Sequence, residues 1–214
     1  MSTEELLENQ ITAKSDFKEF DFPIHFQFKL GTISNDFVAK DASGRTLAYV
    51  RQKMFRLKEV IMVYSEESKT NLLYQIKADR IIDFNACYEF TDSNDLLIGS
   101  IGRKGMRSLW KSHYDIFDQH KNNGYTIREE NPWSKVGDIL FSEIPVVGMF
   151  TGYVFNPKYG VTDQKGNTIA RLTKQPSLFG RNFKLEKLGE LQNGDSERLL
   201  LSLMMMMLLE RRRG

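Results

Sequence analysis

The stretch DSERLLLSLMMMMLLERRR, residues 195–213, decides the fold of this chain. Asp195 or Ser196 can cap the N-terminus of a helix, and Glu197 suits its first turn. The arginines at 211–213 suit the opposite end, where the helix dipole is negative. The pattern therefore predicts a helix over residues 196–212.

Residues 199–209 of this helix are apolar on every side, with Ser202 as the one interruption. A surface helix would show an apolar stripe, so water must be excluded all round this segment. Eleven residues at about 1.5 Å each span about 16 Å, which is too short for a hydrocarbon core of about 30 Å. We therefore expect the rest of the chain to enclose the helix.

Period-two alternation of apolar and polar residues covers most of the remaining sequence. In residues 24–30, for example, Ile24, Phe26 and Phe28 alternate with polar residues, as in a half-buried strand. The same pattern predicts about a dozen strands. They lie at residues 24–30, 37–40, 46–51, 59–64, 72–78, 80–84, 87–90, 96–101, 113–117, 125–128, 159–162, 168–173 and 182–187.

Turn sequences rich in Asp, Asn and Gly separate these strands. They include residues 41–44 (DASG), 92–95 (DSND), 121–124 (KNNG) and 163–166 (DQKG). Two of the hairpins, at 38–48 and 161–171, share the form Asp-x-x-Gly followed by a strand that contains x-Thr-aliphatic-Ala. Repeated hairpins predict an antiparallel meander whose sheet closes on itself and so has no edge strand.

The predicted fold is therefore mainly β: a closed antiparallel barrel of about twelve strands around a buried C-terminal hydrophobic helix. A barrel of that size is too wide for side chains alone to fill, and the helix supplies the filling. A short capped helix is predicted near residues 2–7, within an N-terminal helical extension at 1–19. Residues 20–214 are predicted to form one barrel domain.

Two hairpins of the Asp-x-x-Gly form, the stretch PVVGMFTGYVFNPKY at 145–159 and the hydrophobic C-terminal helix resemble the LURP-one-related proteins. This family belongs to the Tubby C-terminal-like superfamily, which also includes the phospholipid scramblases. The resemblance covers roughly residues 20–210 and implies a twelve-stranded barrel around a central helix. It implies no single activity, because Tubby proteins bind phosphoinositides, scramblases are associated with lipid redistribution, and the LURP-one-related branch has no settled biochemical role.

Residues 99–111 (GSIGRKGMRSLWK) form the candidate binding segment. Glycines allow backbone N–H groups to approach an anion, basic side chains supply charge, and a tryptophan suits a lipid interface. A phospholipid headgroup is the ligand that this chemistry favours, and an ordinary hairpin with solvated cations and a core tryptophan is the alternative. The predicted ligand-binding residues are Arg103, Lys104, Arg107, Trp110 and Lys111.

No pattern typical of an enzyme or a cofactor site is found. The spacing of four residues, His113, Asp115, Asp118 and His120, favours ordinary polar positions of a hairpin over metal ligands. Cys87 is predicted to be a buried, inert thiol. The sequence lacks a nucleophile elbow and a dinucleotide fingerprint. We therefore expect a non-enzymatic protein without cofactor or metal.

Charge and cysteine content narrow the partners and the location. A net charge of +2 gives no overall field for nucleic acid, so any anion site must be local. One cysteine excludes an internal disulfide, and a cytoplasmic location is expected, peripheral to the membrane if lipid is bound. Three functions stay open: an anionic-phospholipid binding module, a scramblase-like lipid transporter whose residues 199–209 enter the bilayer, and a protein-interaction scaffold.

Overall fold

The structure is a computed structural model of the 214-residue chain. It describes residues 20–29, 36–52, 60–80, 86–103, 112–130, 157–176, 182–192 and 194–211. The predicted N-terminal helix and the stretch 145–156 lie outside these residues.

The described residues form twelve strands and one helix. The strands are β1 (Ile24–Phe28), β2 (Phe37–Lys40), β3 (Thr46–Gln52), β4 (Val60–Tyr64), β5 (Leu72–Arg80), β6 (Cys87–Asp92), β7 (Leu97–Arg103), β8 (His113–Asp118), β9 (Asn123–Glu130), β10 (Lys158–Asp163), β11 (Thr168–Gln175) and β12 (Asn182–Lys187), and the helix is α1 (Asp195–Arg211).

Each strand pairs antiparallel with its neighbours in the chain, and β1 also pairs with β12, so the sheet closes into a barrel. The pairs Ile24↔Leu185 and Phe26↔Phe183 make this closing contact. Closure leaves no unpaired edge among the twelve strands, which removes the usual template for aggregation. The predicted twelve-stranded antiparallel barrel is confirmed.

Buried, inward-facing apolar side chains alternate with more exposed, outward-facing residues along the strands, as the period-two pattern predicted. In β1, for example, Ile24 and Phe26 are fully buried, while Gln27 is exposed. The same alternation places Cys87 on the outward side of β6, because Tyr88 and Phe90 point inward. Cys87 is half-buried there, so the prediction of a buried thiol was wrong.

Helix α1 occupies the barrel interior. Residues 199–208 are each at most 2% exposed, and the four methionines at 204–207 are all buried. At about 1.5 Å per residue, its 17 residues run about 25 Å through the barrel. The predicted central helix is confirmed, and it begins at Asp195, one residue earlier than the predicted 196.

Tyrosine hydroxyls on the wall donate hydrogen bonds to carboxylates at both ends of α1. Tyr125 of β9 donates to Asp195 in the first turn, and Tyr114 of β8 donates to Glu210 in the last. We call the barrel end at Asp195 the entry end and the end at Glu210 the exit end. Because the strands alternate in direction, the β2–β3, β6–β7, β8–β9 and β10–β11 hairpins all turn at the entry end.

These four hairpins share one turn geometry, in which an aspartate side chain binds the backbone of the turn. Asp41, Asp92, Asp118 and Asp163 each accept, through a side-chain oxygen, the backbone N–H four residues later. The residue three positions after each aspartate has a positive φ, between 59° and 86°. In each turn the backbone N–H of this positive-φ residue also donates to the carbonyl oxygen of the aspartate, at 3.0–3.1 Å. The turn geometry is therefore a structural repeat.

Two predicted boundaries need correction. The turn predicted at 121–124 lies at 118–122, because Asp118 caps it and Lys121 takes the positive φ of 65° that a glycine takes in two other hairpins. β9 accordingly begins at Asn123. Arg80, assigned to a separate strand at 80–84, is the last residue of β5, and residues 81–85 lie outside the described residues.

Candidate functional site

The predicted binding segment joins β7 to β8 at the exit end of the barrel. Arg103 is the last residue of β7, and Ser112 stands just before β8. Lys104, Arg107, Trp110 and Lys111 lie outside the described residues, so their part in a site stays a prediction. Arg103 and Ser112, which flank residues 104–111, therefore both lie at the exit end, whereas Gly99 lies near the entry end, beside Arg198 in the first turn of α1.

Arg103 is on the side of β7 that carries Ile101, whose side chain is fully buried in the barrel. Its register partner is Tyr114, whose hydroxyl contacts Glu210 of α1. Burial raises the pKa of Tyr88, and the positive charge of Arg103 partly opposes that rise. Arg103 therefore lies at the rim of the exit end, near the helix terminus, and not on the outer wall.

The entry end carries a polar cleft that the sequence pattern did not predict. Its volume is about 570 Å³. The cleft is lined by residues of two Asp-turn hairpins, the loop after β12 and the first turn of α1: Asp118, Asn122, Asn123, Gly124, Tyr125, Asp163, Gln164, Lys165, Glu190, Gln192, Asp195 and Arg198.

The carboxylates of this cleft already have partners. Asp118 accepts from the backbone and the side chain of Asn122, and Asp163 accepts in the same way from Asn167. These hydrogen bonds lower the pKa of both carboxyls. The repeated spacing Asp-x-x-x-Asn is the sequence signal that could have located this end of the barrel.

Helix α1 supplies the floor of the cleft. Arg198 donates from Nη2 to Asp195 at 2.7 Å, and Tyr125 donates to the same carboxylate. Burial, followed by the hydrogen bond to Asp195, raises the pKa of Tyr125 to about 12. The cleft lining holds four carboxylates and two cations, so its charge does not favour an anionic ligand.

The metal-like spacing near β8 does not assemble a metal site. His113 and Asp115 share the outward side of β8 with 3.6 Å between Nε2 and Oδ1, whereas Asp118 and His120 belong to the turn at the entry end. Asp115 also accepts from Thr126 at 3.0 Å. Within the described part of the chain, no group of three or more His, Cys, Asp or Glu side chains is placed to hold a metal ion.

The outer wall over β9–β12, β1 and β2 is rich in positive charge, and we call it the basic face. Its outward-facing charged or titratable residues are Lys40, His25, Lys184, Arg171, Lys158, Arg128, Glu130 and Glu186. Five cations against two carboxylates give this face +3, counting histidine as neutral, whereas the whole chain carries only +2. Positive charge is therefore concentrated on one side of the barrel.

Both carboxylates of the basic face are paired with its own cations. Arg171 donates from Nε to Glu130 at 2.8 Å, and Lys184 donates to Glu186 at 2.7 Å. The hydrogen bond from Lys184 is the main reason that the pKa of Glu186 is lowered. A Cβ on Gly160 would lie 3.0 Å from Oε1 of Glu130, so the absence of a side chain there leaves room for the ion pair across β10.

A closed antiparallel barrel built around an apolar C-terminal helix is the class of protein that these elements define. The chain belongs to the LURP-one-related family, whose sequence profile matches residues 46–186. The match runs from the first residue of β3 into β12, so β1, β2 and α1 lie outside it. Comparisons with curated proteins and with solved structures gave no significant match.

Proposed function

We propose that this protein is a non-catalytic binding module for anionic phospholipid headgroups, with Arg103, Lys104, Arg107, Trp110 and Lys111 as the contact residues. The observation that carries the proposal is the composition of this segment. Residues 103–111 contain four cations and one tryptophan, and the flanking ends of β7 and β8 both lie at the exit end of the barrel. Cations and tryptophan together are typical of a surface that meets lipid headgroups.

The packing of the barrel supports a ligand on its outside. Helix α1 fills the interior with side chains such as Leu200, Leu203 and Met206, which are fully buried. A headgroup therefore has to bind at an end of the barrel or on its wall. The module would act in the cytoplasm, at the membrane surface when it holds lipid.

The scramblase-like alternative requires residues 199–209 to leave the barrel and enter the bilayer. That movement would empty the core and break the hydrogen bonds of Tyr125 and Tyr114 to the two ends of α1. No helix among the described residues has the length and apolar character of a membrane span. A scaffold function without a small ligand has no observation of its own in its favour.

A vesicle-binding assay on the full chain tests the proposal. We expect modest affinity for vesicles that contain phosphatidylserine, little binding to pure phosphatidylcholine, and weaker binding as salt rises, because exposed charges are screened beyond about 8 Å at physiological ionic strength. Arg103→Ala combined with Lys104→Ala should weaken binding to the anionic vesicles.

The matched control replaces Lys121 and Lys165 with Ala, which removes two cations from hairpins at the entry end. Thermal unfolding of both double variants should show that each is folded. Binding by the Arg103/Lys104 variant that equals the parent, or binding that is as strong on neutral lipid and resists salt, would overturn the proposal.

A further inference from the structure

The register of the barrel aligns three lysines, a histidine and a threonine in one row across the basic face. His25 of β1 lies opposite Lys40 of β2 on one side and opposite Lys184 of β12 on the other. Lys184 in turn lies opposite Thr173 of β11, and Thr173 lies opposite Lys158 of β10. The row therefore crosses five consecutive strands without a carboxylate, and Glu130 of β9 follows it.

The centre of this row is suited to a phosphate group. Thr173 lies between Lys158 and Lys184, and adjacent strands are about 4.8 Å apart, so the two lysines flank the threonine at about 10 Å from each other. Two flexible ammonium groups can therefore converge on one anion above a short hydroxyl side chain, with Lys184 exchanging its hydrogen bond to Glu186 for the anion. Arg171 lies two residues before Thr173 on the same outward face of β11.

Several cations of the basic face are not neutralised within it. The side chains of Lys40 and Arg128 make no hydrogen bond or ion pair within the described residues, and Lys158 makes no direct ion pair, although its charge helps to lower the pKa of Glu186. Arg128 and Lys158 are exposed. These charges therefore remain available to an external anion.

The location of the row connects it to the segment at 103–111. β10 begins with Lys158 at the exit end, and Arg128 lies near the exit end of β9, next to β8. Ser112, where the segment rejoins the wall, lies just before β8. The exit end and the half of the basic face next to it are therefore adjacent, and one membrane surface can contact both.

The side chains of this face favour phosphate contacts over nucleobase contacts. The described outward-facing residues of β9–β12 at its centre are Arg, Lys, Glu, Thr, Gly, Gln and Asn, and none of them is aromatic. Single-stranded nucleic acid needs aromatic platforms for its bases as well as charge. A bilayer surface presents phosphates and headgroup charges, and contact with these groups needs no aromatic side chain.

We propose that the outer wall centred on Lys158, Thr173 and Lys184 is a second contact surface for the phosphates of an anionic membrane. It rests on the proposed function for its class of ligand, and it adds the side of the barrel that faces the bilayer. The protein would lie with its exit end and the β9–β12 wall against the lipid.

Vesicles of phosphatidylcholine with about one-third phosphatidylserine test this proposal in a co-sedimentation assay with the full chain. Lys158→Gln combined with Lys184→Gln should weaken binding about 25-fold, because each cation near an anionic surface contributes about fivefold. Glu186→Gln frees Lys184 and removes a carboxylate, so it should strengthen binding severalfold.

The matched control is Lys69→Gln combined with Lys77→Gln, which removes the same charge elsewhere. Lys77 is on the outer wall of β5, six strands from β11 and thus on the opposite side of the barrel, and Lys69 lies in the β4–β5 turn. This control should bind vesicles within about twofold of the parent, since its charges lie beyond a Debye length of the bilayer.

The outcomes separate this proposal from the preceding one. Loss of binding in the Lys158/Lys184 variant with normal binding in the Arg103/Lys104 variant supports this surface and overturns the segment, and the reverse result overturns this surface alone. Equal loss in the Lys69/Lys77 control would show that binding does not depend on where the charges lie, and it overturns the proposed surface. If inorganic pyrophosphate binds with the same lysine dependence while the vesicles do not, the surface takes soluble phosphate and the membrane assignment is overturned.

Discussion

Gly99 is a position on the barrel wall that packs closely against the central helix. A Cβ at this position would lie 2.5 Å from the carbonyl oxygen of Phe117 and 2.8 Å from Cδ of Arg198. One neighbour is backbone and the other is the stem of a side chain held by Asp195, so neither can move away freely. The glycine is therefore required by space on the side that faces α1.

Gly99→Ala should lower the free energy of unfolding by about 1–3 kcal/mol, the usual cost of inserting a methyl group into a packed site. Gly124→Ala is the matched control, because a Cβ at Gly124 meets nothing within 4 Å. Urea unfolding of both variants measures the difference. A Gly99→Ala variant with the same free energy of unfolding as the parent would show that the side chain of Arg198 does not pack over this glycine.

Tyr125 couples the stability of the barrel to alkaline pH. Its pKa is raised from 10.0 to about 12, first by burial and then by the hydrogen bond to Asp195. Since the folded pKa lies above the unfolded one, this contribution is fully present below pH 10.0 and is lost as the pH rises toward about 12.

Tyr125→Phe should therefore lower stability by about 1–2 kcal/mol at neutral pH, through loss of a buried hydrogen bond to a carboxylate. Above pH 10.0 the variant should lose stability less steeply than the parent. Tyr64→Phe, on the outward side of β4, is the control. Urea titrations at several alkaline pH values measure both slopes, and parallel slopes for Tyr125→Phe and the parent would contradict the assignment.

The hairpins are the elements that the sequence pattern predicted best, because their turn chemistry is local. An aspartate that bonds the backbone of its own turn and a glycine that accepts positive φ leave a readable trace in residues 41–44 and 163–166. The hairpin at 118–122 was misplaced because Lys121 occupies the glycine position. Asp118, and Asn122 four residues later, were the sequence signals that indicate the position of this turn.

Lys121→Gly should raise the free energy of unfolding by up to about 1 kcal/mol, because a side chain in the left-handed region is strained. The control is Lys165→Gly in the equivalent β10–β11 turn, where the positive φ of 86° belongs to Gly166. That change should lower stability by about 0.5–1 kcal/mol through loss of chain stiffness. Thermal unfolding of the two variants measures the contrast, and the same sign for both would contradict the shared turn geometry.

The pairing of helix ends with wall tyrosines could not be predicted at the level of elements. Tyr125 and Asp195 are 70 residues apart, and Tyr114 and Glu210 are 96 residues apart. Such contacts depend on the register of the closed sheet against the helix, and a single sequence gives no measure of it. For the same reason the basic face was missed, since its row draws residues from five strands.

At the scale of the whole molecule, the length and hydrophobicity of residues 199–209 together with the repeated hairpins were enough to predict the architecture. A helix that is apolar on all sides requires an enclosure, and a wide barrel requires a filling. The position of the charged surfaces was not predictable to the same degree, because charge on loops and outer walls follows no periodic pattern. One predicted site residue, Arg103, lies among the described residues, at the rim of the exit end.

The central claim is that α1 is the core of the barrel and stays there in the proposed membrane-bound state. Burial at about 25 cal/mol per Å² makes the apolar helix a main source of stability, so its amides should open only when the whole barrel unfolds. A helix that inserts into lipid would instead exchange through a lower-energy opening and would change its protection on binding.

Amide hydrogen exchange of the full chain, followed by mass spectrometry with and without phosphatidylserine-containing vesicles, tests this claim most directly. We predict that residues 199–208 exchange at the rate of global unfolding and that vesicles do not change that rate. Exchange of this segment that is faster than global unfolding, or protection of this segment that changes when vesicles are added, would contradict the account.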